Sequence, residues 1–187
     1  DESYLKNTIK QKFSRIENIS VSRDNFHGLT IEIKEFDALY LWCNQSSAED
    51  CYFMDNQGMV YSNAPVFSGT AYPKIITNKE VSPLPFSAME VSEVSRITML
   101  NDRLSVIGIT PVSFKYISSR EMIVEFLHNK DISTIKVDPN TATETTLEYI
   151  FSAIRTEPFS SLFQNSEKKL LYIDVRFPSK VVYKFEE

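Results

Sequence analysis

The residues in this sequence best suited to chemistry are two cysteines and two histidines. A polar segment of seven residues separates Cys43 from Cys51, and strand-like runs lie on both sides. That spacing suits a disulfide across the mouth of a hairpin, which would form in an oxidising compartment. Two free buried thiols in a reducing compartment are the open alternative. Zinc would need two further ligands, and His27 and His128 lie in unrelated segments.

Neither histidine is placed for catalysis. His27 lies beside Gly28 in a turn-like segment, and His128 precedes Asn129-Lys130 at the end of a predicted strand. We interpret both as solvated turn residues. Asp55 opens an acidic turn, but the five further oxygen ligands of a calcium loop are missing. We therefore expect no enzyme activity, no metal and no cofactor.

Composition narrows the class of protein. The chain has 187 residues, 42% of them hydrophobic, which predicts one large or two small folded domains. Its net charge of -5 argues against nucleic acid as a partner. No apolar run approaches the roughly 18 residues of a membrane span, and no signal peptide is recognisable. Because the sequence starts just before a predicted helix and without Met, we interpret it as a fragment of a longer protein.

The N-terminal part reads as a helix followed by two strands. Apolar residues at helical spacing predict an amphipathic helix over residues 3–16: Leu5, Ile9, Phe13 and Ile16. Alternating residues predict one strand around 19–21 and a second around 29–33, with turn residues 24–28 between them.

The rest of the chain groups its strands before and after helices. We predict a strand at 38–42, a hairpin over 51–61 and a short strand at 74–77. We predict a helix over 89–107 with one apolar stripe, formed by Val94, Ile97, Leu100 or Asn101, and Leu104. Three antiparallel strands follow it at 112–118, 121–127 and 131–137. A further helix spans about 143–156, with a capping hydroxyl from residues 143–146. This grouping indicates an α+β fold, mostly antiparallel and with flanking helices.

The chain ends in a predicted hairpin that turns at Pro178. In its first strand Leu171, Ile173 and Val175 share one face, which is the period of a half-buried strand. The last strand of a terminal hairpin has a neighbour on one side only, and such an edge is suited to accept a partner's strand. An ordinary buried strand is the alternative. The predicted partner-binding residues are Phe177, Ser179, Val182, Tyr183 and Phe185, with Lys180 and Lys184 guarding the edge.

Four stretches, in this order, resemble the extracytoplasmic part of the FtsQ/DivIB family of bacterial cell-division proteins. Residues 5–13, 19–23 and 29–35 look like the second helix and last two strands of the family's POTRA domain. Residues 38–42 resemble the exit into its β domain, and residues 52–60 its D-x-x-G-x-hydrophobic hairpin. Residues 172–177 are similar to its C-terminal strand. The transmembrane helix and the first POTRA strand and helix are absent, and the cysteine pair is not a general family feature.

The resemblance implies a partial POTRA-like domain over residues 1–36 and a β domain over 37–187. It further implies a non-enzymatic divisome scaffold that captures FtsB-like (DivIC-like) and FtsL-like subunits by strand addition at its last strand. The chain would then lie on the extracytoplasmic side of the cell membrane, anchored by a single upstream helix. The alternative is another POTRA-containing envelope protein, acting in outer-membrane secretion or assembly.

Overall fold

A computed structural model describes residues 2–24, 28–45, 50–67, 70–165 and 167–186. The α+β class predicted from the sequence is confirmed. The described residues form these elements: α1 (Glu2–Lys12), β1 (Ile16–Asp24), β2 (Gly28–Glu35), β3 (Tyr40–Asn44), β4 (Cys51–Met54), β5 (Met59–Asn63), β6 (Lys74–Thr77), β7 (Phe86–Ser87), α2 (Val91–Val106), β8 (Pro111–Ser118), β9 (Glu121–His128), β10 (Asp131–Val137), α3 (Thr143–Arg155), α4 (Phe159–Gln164), β11 (Leu170–Phe177) and β12 (Lys180–Phe185).

The first helix is shorter than predicted. α1 ends at Lys12, and Ile16 opens β1 instead of closing the helix. Ile16 is β-branched and pairs with Glu35 of β2, and such residues fit a strand better than a helix. Leu5 and Ile9 of α1 pack on the buried residues of β1, so the helix covers that strand.

The side chains of β2 are not covered by the rest of the chain that the structure describes. β1 and β2 form a separate two-stranded antiparallel sheet. Every described side chain of β2 is exposed, including Leu29, Ile31 and Ile33. The turn predicted at 24–28 includes residues 25–27, which lie outside the described part of the chain.

The remaining strands form one ten-stranded sheet in the order β12-β11-β10-β9-β8-β6-β3-β4-β5-β7. The neighbours β3–β6, β6–β8 and β10–β11 are parallel, and the other pairs are antiparallel. Parallel neighbours need a crossover connection, and α2 supplies the one between β6 and β8. α3 and α4 supply the one between β10 and β11. The meander β8–β9–β10 is as predicted, whereas β7 and α4 had no counterpart in the sequence analysis.

The main core lies between the helices and one face of this sheet. α2 buries its predicted stripe, formed by Val94, Ile97, Leu100 and Leu104.

α3 begins at Thr143 as predicted, but its N-cap is Ala142 and no side chain caps it, so the predicted capping hydroxyl is wrong. In the part of the chain that the structure describes, no helix is long and apolar enough to span a membrane.

The opposite face of the sheet carries a smaller core that contains the disulfide. Cys43 of β3 and Cys51 of β4 are directly opposite in register, and their sulfurs are bonded. The predicted disulfide is therefore confirmed. Leu41 and Ile76 complete this buried cluster, and four partly buried residues pack against it: Phe53, Ala64, Phe67 and Tyr72.

Candidate functional site

The last strand, β12, is an edge strand. It pairs with β11, and no other described strand lies beside it. An unpaired edge presents a row of main-chain N–H and C=O groups, which is a template for another strand. The position of the strand therefore agrees with the one assumed for the predicted binding site, while binding itself stays a prediction.

The hairpin register indicates which main-chain groups face outward. The Glu186 amide donates to the Lys169 carbonyl at 2.9 Å, so it points toward β11. In antiparallel strands this direction alternates from residue to residue. The amides of Val182 and Lys184 thus point toward β11. The open edge then carries the N–H and C=O groups of the intervening residues, Val181, Tyr183 and Phe185.

Two of the three predicted aromatic partner-binding residues pack partly on the protein's own core. Tyr183 and Phe185 lie with their ring centroids 4.7 Å and 5.6 Å from that of Phe159, which is buried. Truncating either aromatic ring therefore removes internal packing as well as any partner contact. The sequence analysis missed Phe159 because α4 is a helix of six residues. The sequence signal for this short helix was the spacing of four residues between Phe159 and Phe163, whose rings stack.

A groove runs between the inner face of β12 and the end of α3. Its volume is about 470 Å³. The Tyr149 hydroxyl accepts a hydrogen bond of 3.3 Å from the Ser179 amide, which ties the hairpin turn to α3. The lining residues are Tyr149, Ser152, Ala153, Thr156, Glu157, Phe159, Ser179, Lys180, Val181 and Tyr183. The edge strand therefore has a groove along its inner face, next to the main-chain groups of its open edge.

The turn of the hairpin exposes the remaining predicted residues. Phe177 is 47% exposed, and the Arg176 guanidinium lies 5.9 Å from its ring centroid. Ser179 has a φ of 58°, the left-handed conformation that a tight turn demands. The Val182 side chain is half-buried, and it stands between the exposed Lys180 and Lys184 on the outer face of the strand.

The first strand of the hairpin departs from simple alternation. Its register shifts between Leu170 and Tyr172, so Leu170 joins the buried core and Leu171 is only partly buried. The predicted shared face holds for Ile173 and Val175. The bulge is the physical reason, because an extra residue in one strand changes which side chains point inward.

An ion-pair network crosses the outer face of the hairpin. Arg176 donates to Asp174 through Nε at 2.9 Å and through Nη2 at 2.6 Å, and its Nη1 lies 3.0 Å from a Glu121 oxygen. Burial alone would raise the pKa of Asp174. The hydrogen bonds from the Arg176 side chain and amide outweigh burial, so the pKa of Asp174 lies below its usual value. The network fixes the shape of β11 beside the edge strand.

The residues considered for catalysis do not converge. The interpretation of His128 as a solvated turn residue is wrong. His128 is buried at the end of β9 and stacked on Phe163, and its Nε2 lies 2.9 Å from the Phe163 carbonyl oxygen. The Asp55 carboxylate accepts hydrogen bonds from the Gln57 and Met59 amides, so it stabilises the turn between β4 and β5. His27 lies outside the described residues. Within the described ranges, no group of three or more His, Cys, Asp or Glu side chains could hold a metal ion.

No family model and no curated protein matches the sequence.

Proposed function

We propose that this chain is a binding protein that captures a partner segment as an added strand on the open edge of β12. The observation that carries the proposal is the position of β12 at the end of the ten-stranded sheet. Main-chain hydrogen bonds to the outward groups of Val181, Tyr183 and Phe185 would supply affinity. Side-chain contacts along both faces of the strand would supply selectivity.

The chemistry of the edge favours an amphipathic and partly acidic partner strand. On the outer face, Lys180 and Lys184 are exposed and flank Val182. A partner strand with an apolar residue between two acidic residues would match this face, since opposite charges on neighbouring strands attract. The exposed ring of Phe177 would cover the end of the added strand.

Within this reading, the partner is an FtsB-like (DivIC-like) subunit paired with an FtsL-like one, and the chain is a divisome scaffold of the FtsQ/DivIB kind. The order of the elements, which resembles that family, supports this identity. The bond between Cys43 and Cys51 bears only on the compartment. Disulfides persist in oxidising compartments, which agrees with an extracytoplasmic position.

Amide hydrogen exchange tests the proposal at the level of single residues. We expect the outward amides of Val181, Tyr183 and Phe185 to exchange fast in the free chain and slowly with the FtsB-like ectodomain of the same organism. The amides of Val182 and Lys184 are paired within the hairpin and should be protected in both states. Unchanged exchange at the three outward amides under saturating ectodomain would refute strand addition.

A matched pair of phenylalanines tests the side-chain contact. Phe177→Ala should weaken binding about thirtyfold, as for an aromatic anchor worth about 2 kcal/mol. Phe13, which is 48% exposed near α1, provides the control, since Phe13→Ala removes a ring of similar exposure far from the edge in sequence. Equal affinities for the two variants, measured by calorimetric titration, would count against a partner contact at Phe177 beside the β12 edge.

A further inference from the structure

The aliphatic side chains of β2 form an exposed row on an unpaired strand. Leu29 is 53% exposed, Ile31 41% and Ile33 51%. β2 pairs with β1 in a two-stranded sheet, and no other described strand lies beside it. Natural proteins usually protect such an edge, because an apolar strand with free main-chain groups pairs readily with another strand. The row therefore indicates an interface at β2.

This row lies on the side of the sheet that α1 covers. Ile33 is directly opposite Ile19 in register, and Ile31 is directly opposite Val21. Opposed residues in antiparallel strands point to the same face of the sheet. Ile19 and Val21 are buried against the apolar residues of α1. The helix thus covers the β1 half of one apolar layer and leaves the β2 half exposed.

The charged side chains of β2 are all engaged within the same helix-strand-strand unit. Their contacts are Ser20 with Glu32 at 3.0 Å, Glu17 with Lys34 at 2.7 Å and Arg15 with Glu35 at 2.8 Å. These partners belong to β1 or directly precede it, so they draw the charges away from the open edge. The charges that commonly guard an edge against another strand are therefore directed elsewhere in β2.

The sequence of β2 is complementary to itself in one antiparallel register. With Ile31 on a twofold axis, Ile31 is opposite its own copy and Leu29 is opposite Ile33 of the second copy. Every aliphatic residue of the row then meets another aliphatic residue, and such pairs stabilise neighbouring strands. The polar pairs of this register are Thr30 with Glu32 and Gly28 with Lys34. No like charges are directly opposite each other.

The neighbouring twofold registers fit less well. A register centred on Glu32 places two carboxylates directly opposite each other, which is destabilising. One centred on Ile33 places Ile31 opposite Glu35. One centred on Thr30 leaves Ile33 beyond the start of the opposing β2. The register centred on Ile31 is therefore the one that the side chains favour.

A second copy would also complete a two-layer unit. Pairing of β2 with β2 joins the two sheets into one of four strands, about 15 Å from the first strand to the last. Two helices of about 10 Å diameter, one from each copy, cover a sheet of that width. The aliphatic row would then lie between the sheet and the helices, as in other folds with helices on one face of a sheet.

We propose that β2 is a dimerisation edge, on which a second copy of this chain adds its own β2 in antiparallel orientation. A twofold dimer needs one patch that is complementary to itself, and the register centred on Ile31 supplies it. An edge-to-edge contact of this length is small, so the dimer is transient, with a dissociation constant on the order of tens of micromolar. The interface is separate from the β12 edge and does not depend on the function proposed for it.

Sedimentation velocity of the intact chain, over a concentration range of about 1 to 500 µM, measures the association. The mean mass should rise with concentration from 21.6 kDa toward twice that value. Ile31→Glu should weaken association about tenfold or more, because it removes an apolar pair and places two carboxylates opposite each other on the axis. Ile132→Glu is the matched control. Ile132 is 51% exposed on β10, which is paired on both sides, so this variant should associate as the unmodified chain does.

Cysteine substitutions on β2 test the register. Ile31→Cys brings two new thiols together on the axis, so oxidation should link the two copies on a non-reducing gel. Leu29→Cys is the control on the same face, because its thiol lies about four residues, roughly 14 Å, from its own copy and cannot be bridged. A mixture of Leu29→Cys and Ile33→Cys should form a mixed dimer. The native cysteines do not interfere, since Cys43 and Cys51 are bonded to each other.

Three results would overturn the proposal. A constant mass of 21.6 kDa over the whole range would mean that a strand of a different chain, and not a second copy, is suited to β2. Equal association of Ile31→Glu and Ile132→Glu would mean that the copies meet elsewhere, for example at β12. Equal cross-linking of Leu29→Cys and Ile31→Cys would refute the register. Because all the substituted side chains are exposed, circular dichroism should show that each variant keeps its fold.

Discussion

A pair of proline substitutions at adjacent valines tests the main-chain assignment of the edge strand. Val181 and Val182 are both half-buried residues of β12, so their side chains are comparable. Their amides are not, because the Val182 amide is assigned toward β11 and the Val181 amide toward the open edge. Proline removes the amide proton in either position.

The two substitutions should therefore have opposite consequences. Val182→Pro loses one hairpin hydrogen bond, worth about 1 kcal/mol, and leaves a carbonyl of the buried Asp174 strand segment unpaired at a cost of about 1–3 kcal/mol. Together these give a destabilisation of about 2–4 kcal/mol, or about 5–15 °C in melting temperature for a chain of this size. Val181→Pro loses no internal bond and should stay within about 1 kcal/mol of the unmodified chain, as proline is tolerated on an open edge.

Val181→Pro should lower the affinity for the partner although it leaves the stability of the chain nearly unchanged. Val181→Pro removes a donor that the partner strand needs, so its affinity for the FtsB-like ectodomain should fall about tenfold in a chain that remains folded. Thermal unfolding by circular dichroism and calorimetric titration measure the two effects separately. The assignment of outward amides is wrong if Val181→Pro destabilises the chain more than Val182→Pro. Strand addition is wrong if Val181→Pro folds and binds normally.

Three further predictions concern the stability of the fold. Replacing Cys43 and Cys51 by serine should cost about 2–3 kcal/mol, which denaturant unfolding measures; intact mass under non-reducing conditions should show no alkylatable thiol in the unmodified chain. Gly58→Ala should destabilise by about 3 kcal/mol or more, because Gly58 has a φ of 79° and a Cβ there would overlap a main-chain carbonyl; a melting temperature within 2 °C of the parent (about 1 kcal/mol) would contradict this. Arg176→Ala should cost about 3 kcal/mol at neutral pH by leaving Asp174 buried without its partner. Since the folded pKa of Asp174 is depressed, the stabilisation is present above the unfolded value near pH 4 and is lost as pH falls through the folded value, so the variant and the parent should converge in acid.

Local pattern in the sequence was sufficient for most elements of this fold. The periods of two and 3.6 placed the meander β8–β9–β10 and the buried stripe of α2, because burial on one face imposes those repeats directly. The seven-residue spacing between Cys43 and Cys51 favoured a disulfide but left free thiols open, and the pairing of β3 with β4, which places the two cysteines opposite each other, decided between them. The end of α1 was misplaced because Ile16 continues a helical stripe in sequence while its pairing partner, Glu35, is distant.

What the sequence by itself determined is therefore the α+β class, the hairpins and the candidate strand. Only the tertiary structure decided that β12 ends a ten-stranded sheet and that the buried ring of Phe159 packs against Tyr183 on its inner face. Strand order and helix packing depend on contacts between residues far apart in the chain, which no local repeat encodes. A threonine at the start of a helix has the same local signal whether or not its hydroxyl caps the helix, and in α3 no side chain does.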